Sequence, residues 1–290
     1  MLEEQVKIKV INKFLSIDRR IIYLLVAAVI LIPIIKPLNL PVQVTKEVLG
    51  VYNEIDKLPP GSKILVAFDY EPASTPEMDP MAKAVIRHCF RNHLKVVGIS
   101  WLEQGRGNAQ NVLSFITDEF QRQGRPLKYG EDYAYMGFKA GQSAMIMALV
   151  HDFKGACIKD YLGNDVYTMP ILKGIGSLGD FPYLAVLHDD SMINSWITYG
   201  HEIVGIKIGA LCTAIMAPGI YANLSAGQLT GIVGGLKGGS EYEKLLGYRG
   251  VATNGMDSQT LVHFLIIIFI LIGNFAYLAK ERKLRKERLR

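Results

Sequence analysis

Acidic side chains follow two apolar segments in the middle of the chain. Asp69 and Glu71 stand at the end of KILVAFDYE, and Asp189 and Asp190 directly follow FPYLAVLH. If both segments are strands of one parallel sheet, their carboxyl ends meet at the edge where such sheets bind ligands. Neighbouring carboxylates can divide acid and base roles between them, and their oxygens suit hard divalent cations.

These four acids are therefore catalytic candidates, and Asp69 and Asp189 are also metal-ligand candidates. A simpler role competes with both, because an acid at a strand end often caps the following helix. Asp190 would do so before Ser191, and Asp79 before Pro80. No motif supports a metal site or a cofactor, so the sequence predicts neither.

His188 and Cys212 each end an apolar segment, which makes a nucleophilic Cys–His pair conceivable. No local signature surrounds either residue, and a cysteine in an apolar run usually behaves as a small hydrophobe. His188 is kept as a catalytic candidate. The chain has three cysteines, too few for a disulfide scaffold, although Cys89 and Cys157 could pair in an oxidising compartment.

The most distinctive stretch is the glycine-rich GIVGGLKGGSEYEKLLG at residues 231–247. A strand that runs into a glycine-rich turn and a helix can offer backbone N–H groups to an anion. The stretch matches neither a Walker loop nor a dinucleotide fingerprint, and close packing or a subunit contact explains the glycines better. The ligand-binding candidates here are Gly234, Gly235, Lys237, Gly238, Gly239 and Ser240.

The elements that position these residues alternate along the chain. Apolar runs typical of buried strands are separated by segments whose apolar residues recur at helical spacing. The alternation predicts an α/β fold, a three-layer, doubly wound, mostly parallel sheet of Rossmann or flavodoxin type. We predict strands at 63–69, 94–101, 132–138, 181–188, 203–212 and 229–233, and helices at 80–93, 108–123, 140–153, 191–201 and 241–246.

Two segments interrupt this alternation. Residues 154–180 are glycine-rich and irregular, which predicts a long surface loop or insertion of the kind that often carries function. Residues 42–60 end in Pro59-Pro60, and they predict a stalk helix in front of the domain.

Both ends of the chain carry long apolar runs. Thr260 to Ala279 is twenty residues without a formal charge, which is long enough to cross a membrane. Ile21 to Ile35 holds fifteen such residues, and beyond Lys36 the run continues as PLNLPV, which predicts a second span. A cleaved signal peptide is the alternative, but KPLNLPVQV lacks the small-residue cleavage pattern.

Charge predicts the orientation of the two spans. Residues 1–20 carry five basic and three acidic side chains, and residues 280–290 carry seven basic and two acidic ones. Basic flanks favour the cytoplasmic side of a membrane. The predicted order is a cytoplasmic N-terminus (1–20), a first transmembrane helix (21–41), an extracytoplasmic domain (42–258), a second transmembrane helix (259–279) and a cytoplasmic tail (280–290).

Polar residues in the second span predict a partner within the lipid bilayer. Gly273 and Asn274 are helix-packing candidates, because an amide in lipid bonds to another helix, either the first span or one of another copy. The basic tail could also attract anionic lipid, although fixing the topology is the simpler role. It contains no aromatic residue, which argues against nucleic-acid binding.

The sequence contains no recognisable enzyme motif. We therefore predict a structural or binding subunit of an oligomeric membrane assembly, formed with copies of itself or with other membrane subunits, rather than an enzyme. Two alternatives stay open. One is a membrane-anchored envelope hydrolase that uses the strand-end carboxylates. The other is a ligand-sensing domain, which rests on fold analogy alone.

Overall fold

The computed structural model describes residues 18–38 and 40–288, which form two compact units. The central domain runs from Val42 to Thr253. The helical unit joins the segment before Val42 to the segment from Asn254 onward. Residues 1–17, most of the predicted cytoplasmic N-terminus, lie outside the described residues, as do residues 39, 289 and 290.

The helical unit contains α1 (Arg19–Ile35) and most of α11 (Val251–Arg288). α11 is long and apolar enough over Val251–Arg282 to cross a membrane, and it alone meets this requirement among the helices within residues 18–38 and 40–288. Most of its large apolar side chains are exposed, as Phe275 is at 69%. An apolar helix of this kind suits a lipid environment, so one membrane span is supported.

The first predicted span is only partly helical. α1 has 17 residues and ends at Ile35, although the predicted span continues to residue 41. At 1.5 Å per residue it is about 26 Å long, less than a bilayer core of about 30 Å. The helix stops because Lys36 is extended and Pro37 follows, and a residue before proline disfavours helical backbone.

The central domain is built on a six-stranded sheet whose strands are all parallel. The order is β3-β2-β1-β4-β5-β6, so the chain winds from the centre to one edge and then to the other. This confirms the predicted parallel α/β sheet with flanking helices. The strands are β1 (Lys63–Asp69), β2 (Lys95–Ser100), β3 (Tyr133–Phe138), β4 (Tyr183–His188), β5 (Ile208–Cys212) and β6 (Gly231–Gly234).

Helices pack on both faces of this sheet. They are α2 (Lys46–Asp56), α3 (Thr75–Arg91), α4 (Arg106–Arg122), α5 (Gln142–His151), α6 (Phe153–Ala156), α7 (Met192–Ser195), α8 (Glu202–Val204), α9 (Ala217–Ser225) and α10 (Gly235–Leu245). A π-helix over Trp196–His201 joins α7 to α8. Such segments are rare and are frequent at functional sites.

Two apolar cores lie on opposite faces of the sheet, because successive side chains of a strand point to opposite faces. Leu65 and Ala67 of β1 belong to the first core, together with side chains of α5, α7, the π-helix and α9. Ile64 and Val66 belong to the second core, together with side chains of α2, α3, α4 and α10. Functional residues must therefore lie at the strand ends, where the two apolar layers stop.

Three predicted helices need correction. α3 begins at Thr75 rather than at residue 80, because Pro76 fits the first turn, and Asp79 lies inside the helix, where its carboxylate accepts a hydrogen bond from Tyr70. α10 begins at Gly235 rather than at residue 241. The predicted stalk is α2, which buries Val48, Val51 and Ile55 in the second core.

The segment at 154–180 is more than a surface loop. It contains three short 3-10 helices, Val166–Thr168, Pro170–Leu172 and Leu178–Asp180. Ile171 and Leu172 are fully buried in the first core, so the insertion covers the face of the sheet on which α5 packs. The irregular sequence concealed this role because its apolar residues follow neither a helical nor a strand period.

Candidate functional site

A row of four side chains crosses the carboxyl end of the sheet. Asp69 on β1 is in register with His188 on β4, and His188 is in register with Cys212 on β5. Trp101 directly follows β2. Strand alternation places all four on the face of the first core, and all four are buried. The structure thus brings Asp69 and His188 together on adjacent strands.

The Asp69 carboxylate is fully buried and is held by two N–H groups. The backbone N–H of Trp101 donates to Oδ1 at 2.8 Å, and Nε1–H of Trp196 donates to Oδ2 at 2.9 Å. No lysine or arginine among residues 18–38 and 40–288 forms an ion pair with it. Burial, with smaller contributions from Asp190 and Asp189, raises the pKa of Asp69 to about 7.

His188 is fixed in one tautomer by its neighbour. Its Nδ1 lies 2.9 Å from the backbone carbonyl oxygen of Asp190, which can only accept, so Nδ1 carries the proton. Nε2 is then a lone-pair acceptor, and it is buried without a hydrogen-bond donor among the residues that the structure describes. Burial lowers the pKa of His188 and keeps the ring neutral.

Trp196 belongs to the π-helix and covers the row. Its side chain is fully buried, and its ring centroid lies 5.2 Å from that of Trp101. The chain has two tryptophans, and both are at this site. Sequence reasoning missed Trp196 because it lies in the middle of a helical segment, away from any strand end. The scarcity of tryptophan was the available signal.

Cys212 lies in the row as a protonated thiol. Burial raises its pKa to about 12, so its environment disfavours the thiolate that nucleophilic catalysis needs. Cys89, Cys157 and Cys212 are all free and buried, and Cys89 and Cys157 therefore form no disulfide. Each cysteine contributes to packing.

An open cleft of about 420 Å³ lies beside the junction of β1 and β4. The loops after β1, β4 and β5 form it, which is the position where open α/β sheets bind ligands. Its lining contains two carboxylates, two hydroxyl groups and an apolar wall, and no basic residue. The lining residues are Ala73, Ser74, Pro76, Glu77, Asp189, Thr213, Ile215 and Met216.

Each of the two cleft carboxylates is held in place by hydrogen bonds that one of its oxygens accepts. Oδ2 of Asp189 accepts hydrogen bonds from the backbone N–H of Glu71 at 2.9 Å and from the hydroxyl of Ser74 at 2.5 Å. Oε2 of Glu77 accepts one from the backbone N–H of Ala214 at 2.9 Å. Asp189 therefore joins the β1 and β4 loops, and Glu77 joins α3 to the β5 loop.

The other predicted acids have distinct surroundings. Asp190 accepts a hydrogen bond from the backbone N–H of Met192 at 2.8 Å, close to the predicted capping role. Burial is the main cause of its raised pKa. Glu71 is exposed, and its backbone rather than its side chain holds Asp189. No group of three or more metal-ligating side chains occurs in the described part of the chain.

Gly234 ends β6, and the other glycine-rich candidates lie in the first turns of α10. Gly235 has φ +60°, and a side chain at Gly238 or Gly239 would meet Val233 or Met81 and Ala252 at about 3 Å, so these glycines permit close packing. A second cleft of about 270 Å³ is lined by Gly234, Lys237 and Gly238, among others. Glu241 lines it too and pairs with Lys237, which disfavours an anion there.

Ser240 donates a hydrogen bond to the Lys237 carbonyl oxygen at 2.7 Å inside the same helix. Gly273 and Asn274 lie on α11, both exposed, and a side chain at Gly273 would meet open space. Their role in helix packing stays a prediction.

Comparison of the chain with protein-family models, with curated proteins and with solved structures gives no match. The arrangement of the cleft and of the buried row is therefore the basis for assigning a function.

Proposed function

We propose that the protein is a membrane-anchored binding subunit whose cleft beside β1 and β4 holds a small organic cation. The observation that carries this proposal is the pair of pre-positioned carboxylates. Asp189 and Glu77 each use one oxygen to accept protein hydrogen bonds, and the second oxygen of each accepts none from the described residues. Such oxygens are ready acceptors for the N–H groups of a ligand.

The composition of the cleft favours an amine over other ligands. Its lining has two acids and no lysine or arginine, so an anion would meet like charge. Ile215 and Met216 provide an apolar wall, and Ile215 is 88% exposed. A ligand with ammonium groups on an aliphatic body would satisfy the carboxylates and cover this wall.

The buried row supports binding better than hydrolysis. Asp69 would be the natural acid of an envelope hydrolase, but Trp196 covers it, and both of its oxygens already accept N–H bonds. It does not line the open cleft. A hydrolase that used the strand-end carboxylates as its general acid would need at least one carboxylate with a raised pKa at the surface of its substrate pocket.

The binding experiment uses the full chain in mild detergent, with spermidine and arginine as probes. We expect both to raise the unfolding temperature, while glucose and citrate do not. Asp189→Asn or Glu77→Gln should weaken spermidine binding about tenfold, equivalent to about 1.4 kcal/mol. Asp118→Asn, an exposed acid on α4, should bind like wild type. Stabilisation by citrate or glucose alone would contradict the proposal.

The finer membrane arrangement is part of the same proposal. We infer that α1 crosses the membrane beside α11 with Lys36 near the headgroups, that the domain is extracytoplasmic, and that both termini are cytoplasmic. Two contacts within the helical unit support the pairing. The hydroxyl of Ser258 donates to the Ile30 carbonyl oxygen, and the Leu38 N–H donates to Asp257, each at 3.1 Å.

The proposed assembly partner is a second copy that meets Asn274 in the membrane. An exposed amide in lipid gains most by bonding to another helix. The mass of the detergent-solubilised protein tests this: wild type should be larger than a monomer, and Asn274→Leu smaller than wild type. A monomeric wild type would refute it.

A further inference from the structure

Asp69 and His188 are buried neighbours at the carboxyl ends of two adjacent strands. They are in register on β1 and β4, on one face of the sheet, and both are fully shielded from solvent. Residues in register on adjacent strands have side chains close to each other. Nε2 of His188 is a buried acceptor in this row, and no donor among residues 18–38 and 40–288 bonds to it.

The row is closed by the segment Met192–Val204, which comprises α7, the π-helix and α8. Side chains of this segment form several hydrogen bonds to other elements of the described structure. The bond from Trp196 to Asp69 is fully buried. The others are at least partly accessible, as between Ser195 and Ser143 at 3.2 Å. The segment therefore contacts Asp69 directly through Trp196.

We propose that Asp69 and His188 form a latent acid–base pair, neutral while Trp196 covers the row and charged when the covering segment opens. On opening, the O–H bond of the Asp69 carboxyl breaks, and the proton passes through the entering water to the lone pair of Nε2. The products are a hydrated aspartate and an imidazolium, so one proton moves and none is gained or lost. This does not depend on what the cleft binds.

The surroundings favour the neutral pair in the closed state. Asp189 and Asp190 in the loop after β4 repel an ionised Asp69. The titratable groups near the row on β3 and β5 are Tyr135 and Cys212, and both are neutral. On the covering segment, His201 bonds to the Ile206 carbonyl and Glu202 to Gln228, away from the row. No cation among the described residues contributes to the shift of either group.

Linkage gives the expected pH dependence. When the row is closed, the pKa of Asp69 is about 7 and that of His188 is below its ordinary value. Opening restores ordinary values near 4 and 6.5. Asp69 alone would make opening easier as pH rises from about 4 to about 7, and His188 alone would make it easier as pH falls below about 6.5. Where both effects operate, they oppose each other.

Acrylamide quenching of tryptophan fluorescence measures the opening directly, because both tryptophans lie at the row. For the full chain in detergent, we expect quenching between pH 4.5 and 6.5 to change less in wild type than in either single variant. In Asp69→Asn, quenching should at least double as pH falls over this range. In His188→Gln it should at least double as pH rises. Asp160→Asn, a buried acid outside the row, should match wild type.

Two results would overturn the proposal. One is quenching that changes with pH in the same direction in Asp69→Asn and His188→Gln, or that does not change with pH in either variant. The other comes from wild type alone and so does not require a variant to fold: infrared difference spectra should show a protonated carboxyl band at pH 5.5 that is lost above neutral pH. If no carboxyl group titrates near neutral pH in these spectra, Asp69 is not the proton donor.

Discussion

Burial governs the chemistry of Asp69 more than the presence of neighbouring acids does. Asp69, Asp189 and Asp190 lie at the carboxyl ends of the adjacent strands β1 and β4, and Asp189 and Asp190 contribute to the raised pKa of Asp69. Desolvation is nevertheless the largest cause. Sequence position cannot reveal it, because burial depends on side chains that pack around Asp69 from distant parts of the chain, such as Trp196, which lies 127 residues away.

Glu243 is a second buried acid whose role follows from its partners. Its carboxylate accepts hydrogen bonds from the backbone N–H groups of Gly250, Ala252 and Thr253, and from the Thr253 hydroxyl at 2.6 Å. It therefore caps the start of α11 from α10. Negative charge at a helix N-terminus is favourable, and hydrogen bonds to charged groups are the strong ones.

Glu243→Gln should lower the free energy of unfolding of the central domain by about 2 kcal/mol, because the amide accepts fewer of these bonds and adds a misplaced donor. Thermal unfolding in detergent should show a fall of roughly 4–8 °C. Glu103→Gln, on an exposed loop, is the matched control and should leave the midpoint unchanged. Equal midpoints for the two variants would show that the cap is dispensable.

At the scale of elements, the glycine-rich stretch is where sequence and structure differ most. Glycine disfavours helices, which is why a turn was predicted before residue 241. α10 nevertheless starts at Gly235, because its glycines let the helix approach β6, α3 and the start of α11. Tertiary packing outweighs a propensity difference of about 1 kcal/mol per glycine.

Two glycine-to-alanine substitutions in helices should therefore act in opposite directions. Gly239→Ala should destabilise the domain by about 1 kcal/mol, because its Cβ meets Met81 and Ala252 at 3.0 Å and the overpacking cost exceeds the helix gain. Gly107→Ala in α4, where a Cβ meets nothing within 4 Å, should stabilise it by roughly 0.5 kcal/mol. Chemical denaturation measures both, and a stabilising Gly239→Ala would contradict the packing role.

At the scale of the whole molecule, the proposed membrane topology rests on charge and on two helices of unequal length. α11 satisfies the requirements of a span, whereas α1 is about one turn short. The cysteines make the topology testable, because all three native thiols are buried and an introduced cysteine is then the reactive one.

We expect Lys128→Cys, at a side chain that is 70% exposed, to react with a membrane-impermeant maleimide on intact cells. Asp18 directly precedes α1, Glu281 lies on α11, and both are exposed. Asp18→Cys and Glu281→Cys should react only after permeabilisation. Wild type should stay unlabelled. Labelling of Asp18→Cys on intact cells would mean that α1 does not cross the membrane, and protection of Lys128→Cys would place the domain in the cytoplasm.

The sequence by itself determined the alternation of strands and helices, the parallel sheet, the apolar C-terminal helix and the strand ends at which acids gather. These follow from local periodicity and from the rule that parallel strands share a carboxyl edge. Only the tertiary structure decided that Trp196 covers Asp69, that Nε2 of His188 has no donor among the described residues, and that Glu77 and Asp189 share a cleft. Burial and hydrogen bonding join residues that are distant in the chain, and no local pattern records which distant residues will meet.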